Sequence, residues 1–560
     1  MVNRRSRLGG FAQGVALVAA ALVTACGSEE PPPGPEAYVP PPASAIVEEG
    51  AVTVRREVVV LRGKDEPSTP DEHDVVRVVR YRSEPAEPAR AIVLLMPGFL
   101  GGAGSFEPLA RALVRASTPG DAIEAWAIDR RSNLLEDHHG LDVAEVRGDP
   151  ELALRYYVDG EPVEGRTFDG FVTQSALPFA AEWGLETTVG DLRAIVESIP
   201  AEARRARVFL VGHSLGATIA EEYAAWDFDG TPGYDELAGL ALVDGVARSE
   251  GAAAPPITKD EYVEGGAGGP GGFGATSLSA IQGGTRYVAL PLLGTKVYPS
   301  ASITAMRALL APDAVVEDPT RDALFQTLLA LPSVPKMTNR AAMGFAFDDA
   351  SNGLSFAAVS CGNGTGGAIS SYKGLFGSTL VHPSDPDATY GWVEFDATSP
   401  KEHTDLDDLA RSWHEGPGLD FSEWYFPARL PLDASAASTL VLEEGAWPLD
   451  DYRLRALHGR TMNLPIFAAV AGLVGDVKEL DALRALVDAV PIGPGRPLAG
   501  KPRSEPNAFR VLDVTMLTHI DPLAGTAASA EVSGFHEALA AFVRANSPPG
   551  GVDVTLESSR

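Results

Sequence analysis

Cysteine is nearly absent, with two in 560 residues, Cys26 and Cys361. So few thiols rule out a framework of several disulfides. Cys361 lies in the glycine-rich stretch Cys361-Gly362-Asn363-Gly364-Thr365-Gly366-Gly367 and reads as an incidental thiol, not a nucleophile. Positive charge is also scarce: 45 lysines and arginines face 76 acids, a net charge of −31. That balance argues against nucleic acid or an anionic membrane surface as the main partner. The apolar stretch from Phe11 to Val23 is too short to span a bilayer convincingly. What the chain does have is a globular composition, 45% hydrophobic and 22% charged, which supports a sizeable core. Its length suggests more than one domain.

The N-terminus has its own signature. Arg4, Arg5 and Arg7 precede the apolar stretch, which ends in Val23-Thr24-Ala25-Cys26-Gly27. This resembles a bacterial lipoprotein signal. The resemblance implies cleavage after residue 25, acylation of Cys26, and a place in the bacterial cell envelope on a lipid anchor. Residues 26–48 include Pro31-Pro32-Pro33 and Pro40-Pro41-Pro42 and read as an extended tether.

The chain is organised around Arg207-Val208-Phe209-Leu210-Val211-Gly212-His213-Ser214-Leu215-Gly216-Ala217. A short apolar run predicts a buried strand, and the residues from Ala217 to Ala225 predict a helix. G-x-S-x-G between a strand and a helix is a sharp turn that exposes the serine at the strand's C-terminal edge. Side chains at Gly212 and Gly216 would clash with the neighbouring helix and strand. The backbone N–H of Leu215, at the helix start, can face a developing oxyanion. Here the sequence resembles the α/β-hydrolases, the group of serine esterases, lipases and relatives. The resemblance covers about residues 50–246 and 460–546 and leaves out the segment between them.

The rest of the chain fits that frame. Ala51–Arg62 and Asp74–Arg82 predict two valine-rich edge strands, and Ala91–Met96 a strand buried on both faces. Pro97-Gly98-Phe99-Leu100-Gly101-Gly102 follows, then a helix from about Ser105 to Arg115 with Ser105 as N-cap. In α/β-hydrolases the loop after this strand donates the second oxyanion N–H, which makes Phe99, or Leu100, the candidate. Glu124–Asp129 predicts the next strand. Residues 134–170 read as polar and irregular, with His138-His139 in a solvated loop; a metal there would require further ligands nearby. Leu185–Ile199 predicts a helix and Leu237–Val243 a strand ending at Asp244. After Val246 the pattern is interrupted. Glycine-rich residues 264–274 predict a connector, and Ser302–Leu310, Arg321–Leu331 and Asp405–Trp413 predict helices. By the resemblance this insertion is a cap over the serine, and its aromatic clusters are as suited to cap core as to a pocket. The sheet resumes at Asn463–Ala471, followed by an amphipathic helix. The last strand is Phe509–Met516, and a closing helix runs from about Ala527 to Arg544.

The fold class expected is therefore α/β, a mostly parallel central sheet flanked by helices with a large cap insertion. The divisions are a signal peptide at 1–25, a tether at 26–48, core at 49–246, cap at 247–460, core at 461–548 and a tail at 549–560. Serine needs a base, and the base needs an orienting acid. The order in α/β-hydrolases is Ser, then acid, then His. Ser214 is followed by His519, just past the last strand, which makes His519 the base. His536 reads as packing or surface, and His213 as structural. Two acids remain open: Asp476, in the loop after the strand at 464–471, and Asp244, which directly follows its own strand and is better fixed. The expected activity is cleavage of carboxylic esters, with a small-molecule or lipid ester as substrate and no metal or organic cofactor. Peptidase, amidase or acyltransferase chemistry on the same fold is the alternative, as is a non-catalytic lipoprotein that uses the fold as a binding scaffold.

Overall fold

The computed structural model describes residues 38–40, 42–247, 257–266, 276–288, 294–315, 335–374, 378–394, 402–416 and 418–559. The expected signal peptide, Cys26, most of the expected tether, the helix expected at Arg321–Leu331 and most of the glycine-rich connector lie outside these residues.

Nine strands form the main sheet: β1 (Ser44–Glu48), β2 (Thr53–Arg62), β3 (Val75–Glu84), β4 (Ala89–Met96), β5 (Ala122–Asp129), β6 (Val208–His213), β7 (Gly239–Val243), β8 (Ile466–Val470) and β9 (Phe509–Asp513). Their spatial order is β1-β2-β3-β5-β4-β6-β7-β8-β9. The first three are antiparallel to their neighbours, and all pairings from β5 to β9 are parallel. The strands at the centre, β4 and β6, carry continuous apolar runs because helices or further chain cover both faces. Strand β1 lies inside the stretch that its proline content assigns to the tether.

Register aligns the strand ends. Met96 pairs with Gly212, His213 with Val243, Val243 with Ala469, and Val470 with Asp513. Pro97, Ser214, Asp244, Ala471 and Val514 therefore all leave the sheet at one edge, the carboxyl edge where ligands bind in open α/β sheets.

Helix α1 (Glu107–Arg115) and the closing helix α8 (Ala530–Ala545) cover one face, with Phe106, Leu109, Phe535 and Phe542 in the core against Val93, Phe209 and Phe467. Helix α1 differs from its expected start. A short 3-10 turn, Ala103–Phe106, precedes it, and Ser105 Oγ donates to Gly102 O (2.7 Å) instead of capping the helix. Helix α2 (Leu185–Glu197) packs against α3 (Leu215–Ala225), which follows Ser214 and lies on β6 and β7. In the insertion the main helices are α4 (Val297–Leu310), α5 (Asn339–Phe347), α6 (Leu406–Trp413) and α7 (Arg429–Ala437). Asp405 caps α6 through the Asp407 and Asp408 amides. The expected amphipathic helix after β8 is shorter, a 3-10 turn at Val477–Leu480 followed by Asp481–Val487, and it buries Leu480, Leu483 and Val487.

The reading of residues 134–170 as an irregular, solvated stretch is corrected. Helices run at His139–Arg147 and Pro150–Leu154, and the His138 side chain is only 10% exposed. The 549–560 segment also packs: Val552 bridges to Ala89, and Val554 O accepts from Arg80.

Helix α3 buries two adjacent acids. Glu221 accepts from the Ala247 amide, and among the described residues neither carboxylate oxygen of Glu222 has a hydrogen bond. Burial pushes Glu221 from an ordinary 4.5 up to about 8. The native state thus holds a proton that the unfolded chain gives up. Its stabilising effect is complete below pH 4.5 and is lost as pH rises through about 8, at a cost of a few kcal/mol. Glu221→Gln is expected to raise Tm by several degrees at pH 8 and to leave it unchanged near pH 4.5, as read by thermal unfolding across that range.

Candidate active site

The turn after β6 is strained. Ser214 has φ 56° and ψ −127°, a backbone conformation that L side chains rarely adopt. Close packing around it explains the glycines. A Cβ on Gly212 would lie 2.0 Å from Gly216 O, and one on Gly216 would lie 2.2 Å from Met96 O. A Cβ on Gly98 would lie 2.7 Å from Ser214 Cβ, and one on Gly245 would lie 2.2 Å from Ser214 O. The Ser214 amide donates to Val243 O (2.9 Å), which ties the turn to β7.

His519 follows β9 and is buried. Its Nδ1 lies 2.6 Å from Asp244 Oδ2. Asp244 stands at the end of β7 with φ 46° and is fully buried. The loop after β8 wraps its carboxylate: Oδ1 accepts from the Ala471 (2.9 Å) and Val474 (3.0 Å) amides, and Oδ2 from the Leu473 amide (2.9 Å). Burial alone would raise this carboxyl, but the hydrogen bond and charge of His519, with the Val474 and Leu473 amides, hold it below its ordinary value. Asp476, the other acid candidate, points elsewhere. Its side chain is 53% exposed and accepts from the Lys478 amide as a helix cap. The loop expected to carry the acid instead supplies the amides that hold Asp244.

His213 packs against His519. Its ring lies 4.3 Å from that of His519, and its Nε2 meets His519 O at 2.9 Å. Burial first, then the neighbouring His519, push it down to about 3, so it stays neutral. His536 is buried in α8 with Nε2 at 3.1 Å from Pro522 O. Cys361 is a buried free thiol, and burial raises it well above its ordinary range.

Phe99 and Leu215 flank Ser214 on the wall of one cavity of about 270 Å³. Leu215 opens α3, where backbone N–H groups lack helical carbonyl partners. The turn that carries Phe99 is held by Arg130, whose guanidinium donates to Pro97 O, Gly98 O (3.1 Å) and Gly101 O (3.4 Å) and pairs with Glu423 (2.5 Å). Sequence reasoning missed Arg130 and Glu423. The usable signal was a charged residue directly after a buried strand, where a lone cation needs partners.

His519 and Ser214 line the same cavity, and its other walls are largely apolar. Among the described residues Ser214 Oγ has no hydrogen-bond partner; hydrogen bonds of this kind often tighten only once substrate is bound. Residues of the insertion, Tyr298, Phe347, Phe356, Trp413 and Phe421, also line the cavity. Among the insertion's other aromatic residues, Tyr390 belongs to a separate buried cluster with Met337 and Phe345, and Phe426 packs against Phe99. Among the described residues one group outside the Ser214 and His519 pair has metal-ligating chemistry: Glu136, His138 and Asp420. No helix among the described residues is long and apolar enough to cross a membrane.

No family model matches the sequence, and no curated protein matches it. Solved structures do. A peroxisomal alpha-beta-hydrolase of Saccharomyces cerevisiae is 11% identical, with 91% of this chain and 94% of that chain covered and a TM-score of 0.37. An epoxide hydrolase of Vigna radiata is 12% identical, with 87% and 98% covered and a TM-score of 0.35. A monoacylglycerol lipase of Paleococcus ferrophilus is 10% identical, with 84% and 99% covered and a TM-score of 0.32. Such values carry no statement about activity. The strand order, the parallel half of the sheet and the strained turn into α3 make the fold that of the α/β-hydrolases.

Proposed function

We propose that this chain is a serine hydrolase of carboxylic esters, carried on the bacterial cell envelope by lipid at Cys26. The observation that carries the reading is the 2.6 Å contact of His519 Nδ1 with Asp244, with His519 and Ser214 on the wall of one apolar cavity. In this reading Asp244 keeps the Nδ1 proton in place, so that Nε2 is the basic nitrogen. Ser214 Oγ bonds to the ester carbonyl carbon as its proton passes to His519 Nε2. The backbone N–H groups of Leu215 and Phe99 receive the oxyanion. The imidazolium then gives its proton to the departing alkoxide, which leaves an acyl-enzyme. Water, deprotonated by His519, releases the acid and restores the serine. The chemistry uses only protein groups.

The test is labelling of the intact protein by a fluorophosphonate, together with hydrolysis of p-nitrophenyl esters of increasing acyl length. Stoichiometric labelling and turnover of one or more esters are expected. A folded protein that neither reacts with the probe nor cleaves any ester in the series would favour the binding-scaffold alternative.

A further inference from the structure

The acids beside the His138-His139 pair take no part in the hydrolytic site. Glu136 and His138 follow the 3-10 turn Arg131–Leu135 after β5, and Asp420 comes from the insertion. The fold brings one ligand atom from each within 4.8 Å of one another. His138 Nε2 lies 2.9 Å from Glu136 Oε2 and 3.2 Å from Asp420 Oδ2. A single ring nitrogen has one proton to donate, yet it faces two carboxylates. Asp420 is 1% exposed, and its Oδ2, turned toward the imidazole, has no hydrogen bond among the described residues.

The opposite oxygen of each carboxylate is fixed. Glu136 Oε1 accepts from the Trp424 amide (2.8 Å), and Asp420 Oδ1 accepts from the Ser422 amide (2.9 Å) and hydroxyl (3.1 Å). The Trp424 ring packs on the imidazole, with centroids 5.4 Å apart. Ligands with one oxygen anchored by outer partners and the other directed inward are arranged as metal-site carboxylates are. Two carboxylates balance a dication, and Arg77, a guanidinium that feels the charge of Glu136 and Asp420, is paired with Asp129 at 2.6 Å.

We propose that Glu136, His138 and Asp420 bind one divalent transition-metal ion of the zinc class. An imidazole with two carboxylates suits zinc better than calcium or magnesium, which take all-oxygen shells. The ion ties the insertion to the core beside the serine. Around Asp420 the insertion's backbone pairs with the turn that carries Phe99: Gly104 N donates to Asp420 O, Gly102 N to Phe421 O, and Glu423 N to Leu100 O, each at 2.8 Å. The ion is structural in this account and does not touch the ester.

The test uses the mature chain, stripped with chelator, incubated with ZnCl2 and freed of excess. Metal content by mass spectrometry of the elements, the visible spectrum after Co2+ loading, and Tm with and without ion are the readouts. One ion per chain, tetrahedral Co2+ absorption and a raised Tm are expected. Asp420→Asn and Glu136→Gln, which keep side-chain shape, are expected to weaken Zn2+ at least about 100-fold, since loss of an outer partner alone costs 10–100-fold. His139→Gln, whose ring faces Val163 O outside the cluster, is expected to bind as the parent does. All readouts are repeated in the Ser214→Ala protein, so the result does not depend on the hydrolytic reading. No ion retained by the parent, or equal Zn2+ affinity in the parent and in Asp420→Asn, would overturn the proposal and leave a shared proton on His138 in the ion's place.

Discussion

Ser214→Ala is expected to lower kcat for any ester the protein cleaves by about 10^6-fold, and to abolish fluorophosphonate labelling, without lowering Tm. The size follows from the role proposed for the hydroxyl. It is the atom that forms the covalent bond, so nothing else in the cavity can replace it. Residual turnover would come from the backbone donors and from binding, which remain. The fold is expected to survive because removing one oxygen frees space at a cavity wall and leaves the Ser214 amide on Val243 O. The backbone at this position already holds φ 56° with a Cβ, so alanine meets the same strain as serine. Turnover and labelling that persist unchanged in this variant would place the reactive group elsewhere in the chain.

Asp244→Asn is expected to reduce kcat by about 10^4-fold, whereas Asp476→Asn changes it by less than about twofold. Asp244 accepts from His519 Nδ1 and three backbone amides. An amide in its place presents an N–H where one of those donors already stands. If the amide oxygen stays with the loop amides, its NH2 faces Nδ1, and the imidazole takes the tautomer with the proton on Nε2. That ring cannot accept the serine proton. Some loss of Tm is expected too, because the carboxylate gathers the loop after β8. Asp476 is 53% exposed and caps a single turn, so its amide replacement still accepts from Lys478 N. Two small and equal losses would mean that neither acid orients the base.

Much of the architecture was legible because it is written locally. Buried parallel strands are short apolar runs, as at Ala91–Met96 and Val208–Val211, and a strained strand-to-helix turn needs its glycines at fixed offsets. His519 could be picked out because it follows a terminal strand and precedes the closing helix. Other features were hidden for identifiable reasons. Strand β1 sits beside a proline-rich run, so composition obscured a stretch that pairs only because β2 offers it an edge. The helices near His139 and Pro150 are short, and tertiary packing of Tyr156 and Tyr157 around them outweighs weak local signals. Ser105 looked like a cap because the 3-10 turn before α1 cannot be read from residue type alone.

The choice between Asp244 and Asp476 shows where local reading stops. Both follow sheet strands, and both residue types suit the role. Only the path of residues 471–474, which turns three amides onto Asp244 and leaves Asp476 in solvent, separates them. Arg130 with Glu423, and Glu136 and His138 with Asp420, are likewise pairings between the core and an insertion far along the chain. The order of residues by itself determined the sheet, the turn at Ser214 and the place of His519 just past the last strand, since each depends on neighbours within a few residues. The tertiary structure alone brought Asp244 and not Asp476 to His519, and formed the cavity wall and the buried polar clusters, because burial and hydrogen bonding between distant segments exist only once the chain has closed on itself.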